Sequence, residues 1–522
     1  MFRYKRQMFW LSVYFGLNFF LLAFYFLYQR FYAPQYKLLG YSICVSRSTA
    51  LVMEWNSFLL LMTVCRNVIT WLRSGILHRT FPYDNNIEFH KIIACVIFVS
   101  AIAHTVGHGF NVYQISHASS AEELNNARGQ YRWYDFKEVP PVGKLLQSVP
   151  VLTGIALWLV LCLIFITAFY KIRQKKFEVF WYTHHLFVVY YVLFAGHGMQ
   201  MVLGDFPMAW CFVIIPCILY GFERISRAVR ARRDTRVVNA QIWPTKVLNL
   251  VLRRPREFDY RAGQYAFIRI PSISSFQYHP FTLTSSPEEH TISFHIRAVG
   301  DWTTKVYNKL NFELSALQRY EDQSIPHDFL PVHVDGPYGA PSEDFYHYDR
   351  IIMIGAGIGV TPFISILKDI KYKWDRKAFG FDVKRAYFFW MVNDQESFSW
   401  FSDLLTELMD MDEASGIIKI RTYLTGALAH TDIRGFALWH ILSLFYETQC
   451  VDAITGLPSR TYWGHPDWSD IFKSFKVVFR DRQIRRVGVF YCGPDGLATD
   501  IEKALKDASS SRLQFVWHKE KF

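Results

Sequence analysis

The first 230 residues hold six apolar stretches of near-bilayer length, and beyond them the pattern changes to short alternating runs. The stretches lie near 8–28, 47–65, 90–110, 150–170, 181–199 and 207–223. A hydrocarbon core of ~30 Å takes roughly 20 residues of helix, so each reads as a membrane span, the last a short one. From about residue 235 the texture is that of a folded α/β region. Val237 to Leu252 alternates around Pro244 as a strand pair, and Phe267 to Ile270 and Ser293 to Arg297 read as further strands of an antiparallel barrel. Arg350 to Ile354, Ala386 to Trp390, Ile418 to Leu424 and Val487 to Tyr491 suit the strands of a doubly wound parallel sheet.

Basic residues set the orientation. Arg3, Lys5 and Arg6 precede the first stretch, and Arg66, Arg73 and Arg79 follow the second. Lys171, Arg173, Lys175 and Lys176 follow the fourth, and Arg224, Arg227, Arg230, Arg232 and Arg233 follow the sixth. Six crossings place all four groups on one face, and the positive-inside rule makes that face, with both termini, cytoplasmic. The net charge of +12 therefore belongs to membrane topology, and no nucleic-acid-binding motif accompanies it. A composition 51% hydrophobic and 18% aromatic agrees with a lipid bilayer as partner. The basic start could open a signal peptide, but its apolar stretch is long and aromatic and lacks a small-residue cleavage site, so a retained helix is expected. Eight scattered cysteines, with no CxxC pair, imply neither a disulfide framework nor a structural metal.

Polar side chains inside spans are costly and point to function. The third span carries His90, His104 and His108, and the fifth carries His184, His185 and His197. His90 and His104 are close to four helical turns apart, about 21 Å along the axis, and His184 and His197 about 19.5 Å. Both spans run in the same direction, so His90 levels with His184 and His104 with His197. Two stacked bis-histidine haems follow from that match. Thirteen residues do not make a whole number of turns, so the fifth span must be distorted, by a π-bulge for example, or the haems rotated. His185 stays open as the inner ligand.

A strand ending at Ile354 runs into Gly355-Ala356-Gly357-Ile358-Gly359-Val360-Thr361-Pro362. Glycines between a strand and a helix let backbone N–H groups approach a pyrophosphate at the positive helix end. The pattern is G-x-G-x-G, which an ordinary tight turn also produces.

These residues, taken in order, resemble the catalytic subunit of the NADPH oxidases on the pattern of the phagocyte enzyme. The resemblance runs through His90-Lys91, Glu178 to His185, His279 to Ser285, His295-Ile296-Arg297 with Gly300 to Thr303, Gly355 to Phe363, Cys492-Gly493-Pro494 and the terminal Phe522. It implies a six-helix transmembrane haem domain (1–230) and a cytoplasmic ferredoxin-reductase-like unit, made of an antiparallel β-barrel FAD domain (235–345) and a doubly wound α/β nucleotide domain (346–522). It implies His90 and His184 as inner and His104 and His197 as outer ligands of two haems b, with Arg47 and His108 beside the outer haem where oxygen is reduced. His279, Pro280, Phe281, Thr282, His295, Ile296, Arg297, Trp302 and Thr303 correspond to the flavin site, with Arg297 on the FAD pyrophosphate. Gly355, Gly357, Gly359, Thr361, Pro362, Cys492, Gly493 and Pro494 correspond to the NADPH site, and Phe522 to the aromatic that covers the flavin ring. The implied activity is electron transfer from cytosolic NADPH through FAD and both haems to oxygen, giving superoxide across a plasma, phagosomal or endosomal membrane. Partners the family admits are cytosolic activators and a small membrane subunit. A ferric-chelate reductase shares this plan and is the alternative.

Two positions depart from the family. Asn393 and the stretch Trp463 to Trp468, with His465, stand where arginines commonly neighbour the NADPH 2′-phosphate. Guanidinium is the better phosphate fork, so NADH becomes an alternative donor unless Arg421 or Arg460 substitutes. The loop between the fifth and sixth spans, Gly198 to Phe206, is short, which favours release of superoxide over peroxide.

Overall fold

The structure, a computed structural model, describes residues 2–75, 81–129, 131, 135–230, 235–319, 329–377, 382–426 and 433–520. Arg79, Arg232, Arg233 and Phe522 lie outside the described residues. The chain divides into two compact units, Tyr4–Ile225 and a second beginning at Ser226.

The first unit is helical. Its long helices are Phe2–Phe31, Tyr36–Met62, Asn86–Ser116, Val149–Thr167 and Ala209–Arg230, the last of which passes into the second unit at Ser226, with Phe177–His184 and Phe187–Gly196 making a broken one. Five helical stretches are long and apolar enough to cross a membrane, and a sixth is reached if Tyr36–Met62 and the helix bent 77° from it count as one span. That second helix falls short alone because it carries Arg47, Glu54, Asn56 and a row of serines. The polar row has a structural use. A Cβ on Gly107 would meet the Ser42 carbonyl and Ser46 Cβ at 3.0 Å, so small residues bring Tyr36–Met62 and Asn86–Ser116 into close backbone approach.

The distortion expected in the fifth span is a break, not a π-bulge. His185 and Leu186 are turn residues between the two helical pieces. The amides of His185, Leu186 and Val188 bond carbonyls three residues back, at 3.1–3.2 Å, so the ladder is locally overwound to 3₁₀ type. His197 lies just past the second piece in an extended conformation (φ −66°, ψ 131°). The overwound turn and the extended end together absorb the misfit of thirteen residues.

The second unit begins with six strands in two three-stranded antiparallel sheets. The first sheet pairs β1 (Val237–Trp243), β2 (Val247–Arg253) and β5 (Thr291–Arg297) in the order β1-β2-β5. The second pairs β3 (Tyr265–Arg269), β4 (His279–Thr282) and β6 (His333–Tyr338) in the order β4-β3-β6. The inward residues Leu248, Leu250, Leu252, Ile268, Ile292, Phe294 and Ile296 share one buried core with Trp302 and Val306 of the helix Asp301–Arg319. The fully buried Asp335 of β6 is bonded by Arg227 Nε at 2.7 Å, Arg230 Nε at 2.9 Å and the Tyr338 hydroxyl at 2.8 Å, which compensates its desolvated charge.

Six parallel strands follow: β7 (Arg350–Ala356), β8 (Arg385–Val392), β9 (Ile418–Leu424), β10 (Thr461–Trp463), β11 (Arg486–Cys492) and β12 (Gln514–Lys519). Their order is β10-β9-β8-β7-β11-β12. Ile351 to Ile354 are all fully buried, as a central strand covered on both faces requires. The order reverses between β7 and β11, so the crevice beyond their carboxyl ends is the topological switch point.

Candidate active site

In the first unit, His90 and His184 face each other with ring centroids 6.3 Å apart, and His104 and His197 with centroids 6.2 Å apart. Imidazoles that ligate one ion from opposite sides, each nitrogen at about 2.0 Å, separate their centroids by roughly 6.3 Å. Both gaps therefore have the width of a bis-imidazole metal site.

Proton positions agree. The Thr63 hydroxyl donates to the Leu60 carbonyl at 2.6 Å, so at 2.8 Å it accepts from Nδ1 of His90. Nδ1 of His104 lies 2.8 Å from the Ser46 carbonyl, which can only accept. The Thr153 hydroxyl donates to the Val149 carbonyl at 2.7 Å and accepts from Nδ1 of His197 at 2.9 Å. All three rings thus carry their proton on Nδ1 and keep the Nε2 lone pair for an ion, as a metal-bound histidine held by its other nitrogen does. Among the described residues, Nδ1 of His184 is buried without a partner. His185 points elsewhere, with Nδ1 2.7 Å from the Trp181 carbonyl and its ring edge-on to Trp181.

Beside the second pair, His108 packs edge-on against His104 at 4.5 Å, and its Nδ1 is 3.3 Å from Asn111 Nδ2. Arg47 lies within electrostatic reach of His104, His108 and His197. Its Nη2 is 2.7 Å from Oδ2 of Asp205, and among the described residues its Nε is a buried donor without a partner. Asp205 and the threonines Thr63 and Thr153 were not legible in the sequence as site residues. Polar residues in or beside apolar runs were the available signal, but which histidine each would meet depends on helix packing.

In the second unit, His279 stacks on Trp302 at 4.2 Å, with Phe281 6.0 Å from the same indole. Among the described residues, Nε2 of His279 and Nε1 of Trp302 are buried without partners, two polar atoms left for a ligand. Burial holds the His279 imidazole down to about 4, so it is neutral at physiological pH. Thr303 supports the turn before it, accepting from the amides of Val299 and Gly300 at 3.1 and 3.0 Å. His295 is pushed down to about 3 by burial, and its ring is flanked by Trp243 and Phe401 at 4.9 and 4.7 Å. It anchors β5 against the nucleotide-binding sheet, with its Nδ1 2.8 Å from the Thr284 hydroxyl.

The glycine-rich turn sits at the switch point. A Cβ on Gly359 would lie 2.4 Å from the Cys492 carbonyl oxygen, and one on Gly493 would lie 2.8 Å from Ala356 Cβ. Gly357 has φ +55° and opens toward Arg297, whose Nη1 would be 3.9 Å from an added Cβ. Arg297 and the glycine turn thus converge, a guanidinium beside half-buried backbone, which suits a pyrophosphate. Thr361 and Pro362 begin the helix Thr361–Asp375 that points its positive end there. Burial raises the Cys492 thiol well above its usual range, so it is a neutral packing group.

Of the two arginines able to replace the missing phosphate ligands, Arg460 pairs with Glu447 at 3.1 Å and lies over Tyr446. Arg421 lies near the rings of Phe389 and Tyr462, at 5.8 and 5.9 Å. Asn393 and His465 are both exposed.

Three family models match successive segments: a ferric reductase like transmembrane component over residues 52–195, an FAD-binding domain over 232–342, and a ferric reductase NAD binding domain over 348–506. A superoxide-generating NADPH oxidase heavy chain of Dictyostelium discoideum is 36% identical over 504 residues, spanning 96% of this chain and 94% of that protein. NADPH oxidase 1 of Rattus norvegicus is 33% identical over 580 residues, spanning 98% of this chain and 99% of that one. Transmembrane-like helices leading into a ferredoxin-reductase-like unit with FAD and NAD modules, matched end to end by such relatives, place the chain in the NADPH oxidase family of membrane oxidoreductases.

Proposed function

We propose that this chain carries electrons from NADPH, through FAD and two haems b, across a lipid bilayer to oxygen, which leaves as superoxide. The observation that carries the reading is the pair of facing imidazole sets, each 6.2–6.3 Å between ring centroids and stacked along the same two helical regions. His90 and His184 form the inner pair and His104 and His197 the outer. The bent helix pair completes six spans, with both termini in the cytoplasm, and the membrane part, the flavin part and the nucleotide part divide near residues 230 and 345.

Flavin accepts two electrons as hydride and passes them singly, and haem iron carries one at a time. The protein's part is placement. Arg297 and the glycine turn hold pyrophosphate, while His279 and Trp302 offer polar atoms and a stacked wall to the flavin. With an imidazole on each side, an iron held here would have no open coordination position, so oxygen would meet Arg47 and His108 at the outer edge. The free Nε–H of Arg47 donates to the anion as it forms, where partial shielding from water strengthens the bond.

Membranes supplied with NADPH and FAD are expected to reduce a tetrazolium dye in a manner that superoxide dismutase blocks. Reduction of a ferric chelate with no dismutase-sensitive component would identify a ferric reductase instead. The same assay tests donor preference. With no arginine at Asn393 or His465 and Arg460 occupied by Glu447, kcat/KM for NADPH over NADH is expected below about a hundredfold, ~2.7 kcal/mol. A larger ratio would show that Arg421 or another cation grips the 2′-phosphate.

A further inference from the structure

Arg47 is not alone at the outer site, and its partner lies on the short loop that follows His197. The Asp205 carboxylate is 2.7 Å from Nη2 of Arg47 through Oδ2 and accepts from Gln35 Nε2 at 2.8 Å through Oδ1. Gln35 Nε2 also reaches the Leu203 carbonyl at 3.1 Å. The loop is pinned again from Gly129 and Tyr131, whose amides bond the carbonyls of Leu203 and Gly204 at 3.1 and 2.9 Å. Gly129 and Gly204 touch so closely that a Cβ on either would fall 2.4 Å from the other's carbonyl oxygen. Asp205 is therefore held by a fixed loop, and it in turn holds a guanidinium whose long side chain would otherwise sample many rotamers.

We infer that Asp205 is a positioning residue of the oxygen site: it fixes Arg47 beside His104, His108 and His197 and offsets its positive charge. The inference rests on the proposed superoxide-forming role of this site. Its physics has two parts. One Nη of Arg47 is committed to the carboxylate while Nε stays free, so the donor that meets the nascent anion has a set direction. An uncompensated cation here would also hold an electron more tightly at the outer position and slow its departure to oxygen, because charges couple strongly in a low-dielectric surrounding. Asp205 pairs with the arginine through Nη2, leaves its Nε–H available, and cancels most of that trap.

The test uses the full chain in membranes. Asp205→Asn keeps the shape and removes the charge, Asp205→Glu keeps the charge, and Gln35→Leu loosens the same loop without altering charge. In Asp205→Asn, one of two haem midpoints is expected to move upward while the other stays. Dismutase-sensitive turnover should fall about tenfold, the scale of losing a group that orients a site's direct contacts. Asp205→Glu should restore the midpoint and part of the turnover, and Gln35→Leu should leave both midpoints in place. Unmoved midpoints in Asp205→Asn, a shift of both together, loss of pigment matched by Gln35→Leu, or no recovery in Asp205→Glu would each overturn the inference. Failure of the unmodified chain to bind haem or form superoxide would instead sink the proposed function.

Discussion

Exchanging His184 for leucine is expected to remove pigment from the chain and to lower dismutase-sensitive turnover by at least about a hundredfold, the upper end of what losing a supporting ligand partner costs. The neighbouring exchange, His185→Leu, should leave both within about twofold, as a side chain outside the site allows. Two adjacent histidines of the same chemistry separate so sharply because of direction. His184 ends the first piece of the broken span with its ring toward His90, while His185 begins the turn and donates back to the Trp181 carbonyl. The check is a haem assay per chain and a reduced-minus-oxidised spectrum on both variants. Pigment kept in His184→Leu and lost in His185→Leu would reverse the assignment of the inner pair.

Much of this could be read from the residues. Level-matched histidines pointed to the pairing, and thirteen residues between His184 and His197 required a distortion. Its form was not legible, since an overwound turn, a π-bulge and a rotated ring all relieve the same misfit. The helix Tyr36–Met62 illustrates a different limit. Its serines, Arg47 and Asn56 weaken the apolar signal, yet those small and polar groups let it pack on Asn86–Ser116 and bring the Ser46 carbonyl to His104. Strands β4, β6, β10 and β12 were not legible: Pro280 and Gly336-Pro337 interrupt the first two, β10 has three residues, and Gln514–Lys519 mixes polar and aromatic positions. Asp205 could not have been linked to Arg47, because the two stand 158 positions apart in the chain and only the packing of the outer loop brings them together.

The second large effect is expected at the nucleotide turn, where Gly359→Ala should lower kcat/KM for NADPH by about a hundredfold, the scale of a 1 Å misplacement of a bound reactant. The reason is local to the switch point. The added methyl would lie 2.4 Å from the Cys492 carbonyl oxygen and 2.8 Å from its carbonyl carbon. Those are backbone atoms of β11, a strand paired on both sides with β7 and β12, so no rotamer change relieves the contact. The glycine turn must move away from the crevice, carrying its N–H groups with it. Gly357→Ala supplies the contrast within the same turn. Its φ of +55° costs a side chain ~1–2 kcal/mol, but the nearest atom to the new methyl is Arg297 Nη1 at 3.9 Å, the end of a flexible arm. A loss of no more than about tenfold is expected there, with the dithionite-reduced haem spectrum unchanged in both variants. Equal losses at the two glycines would mean that backbone conformation, and not the crowding of β7 against β11, decides how this turn receives its nucleotide.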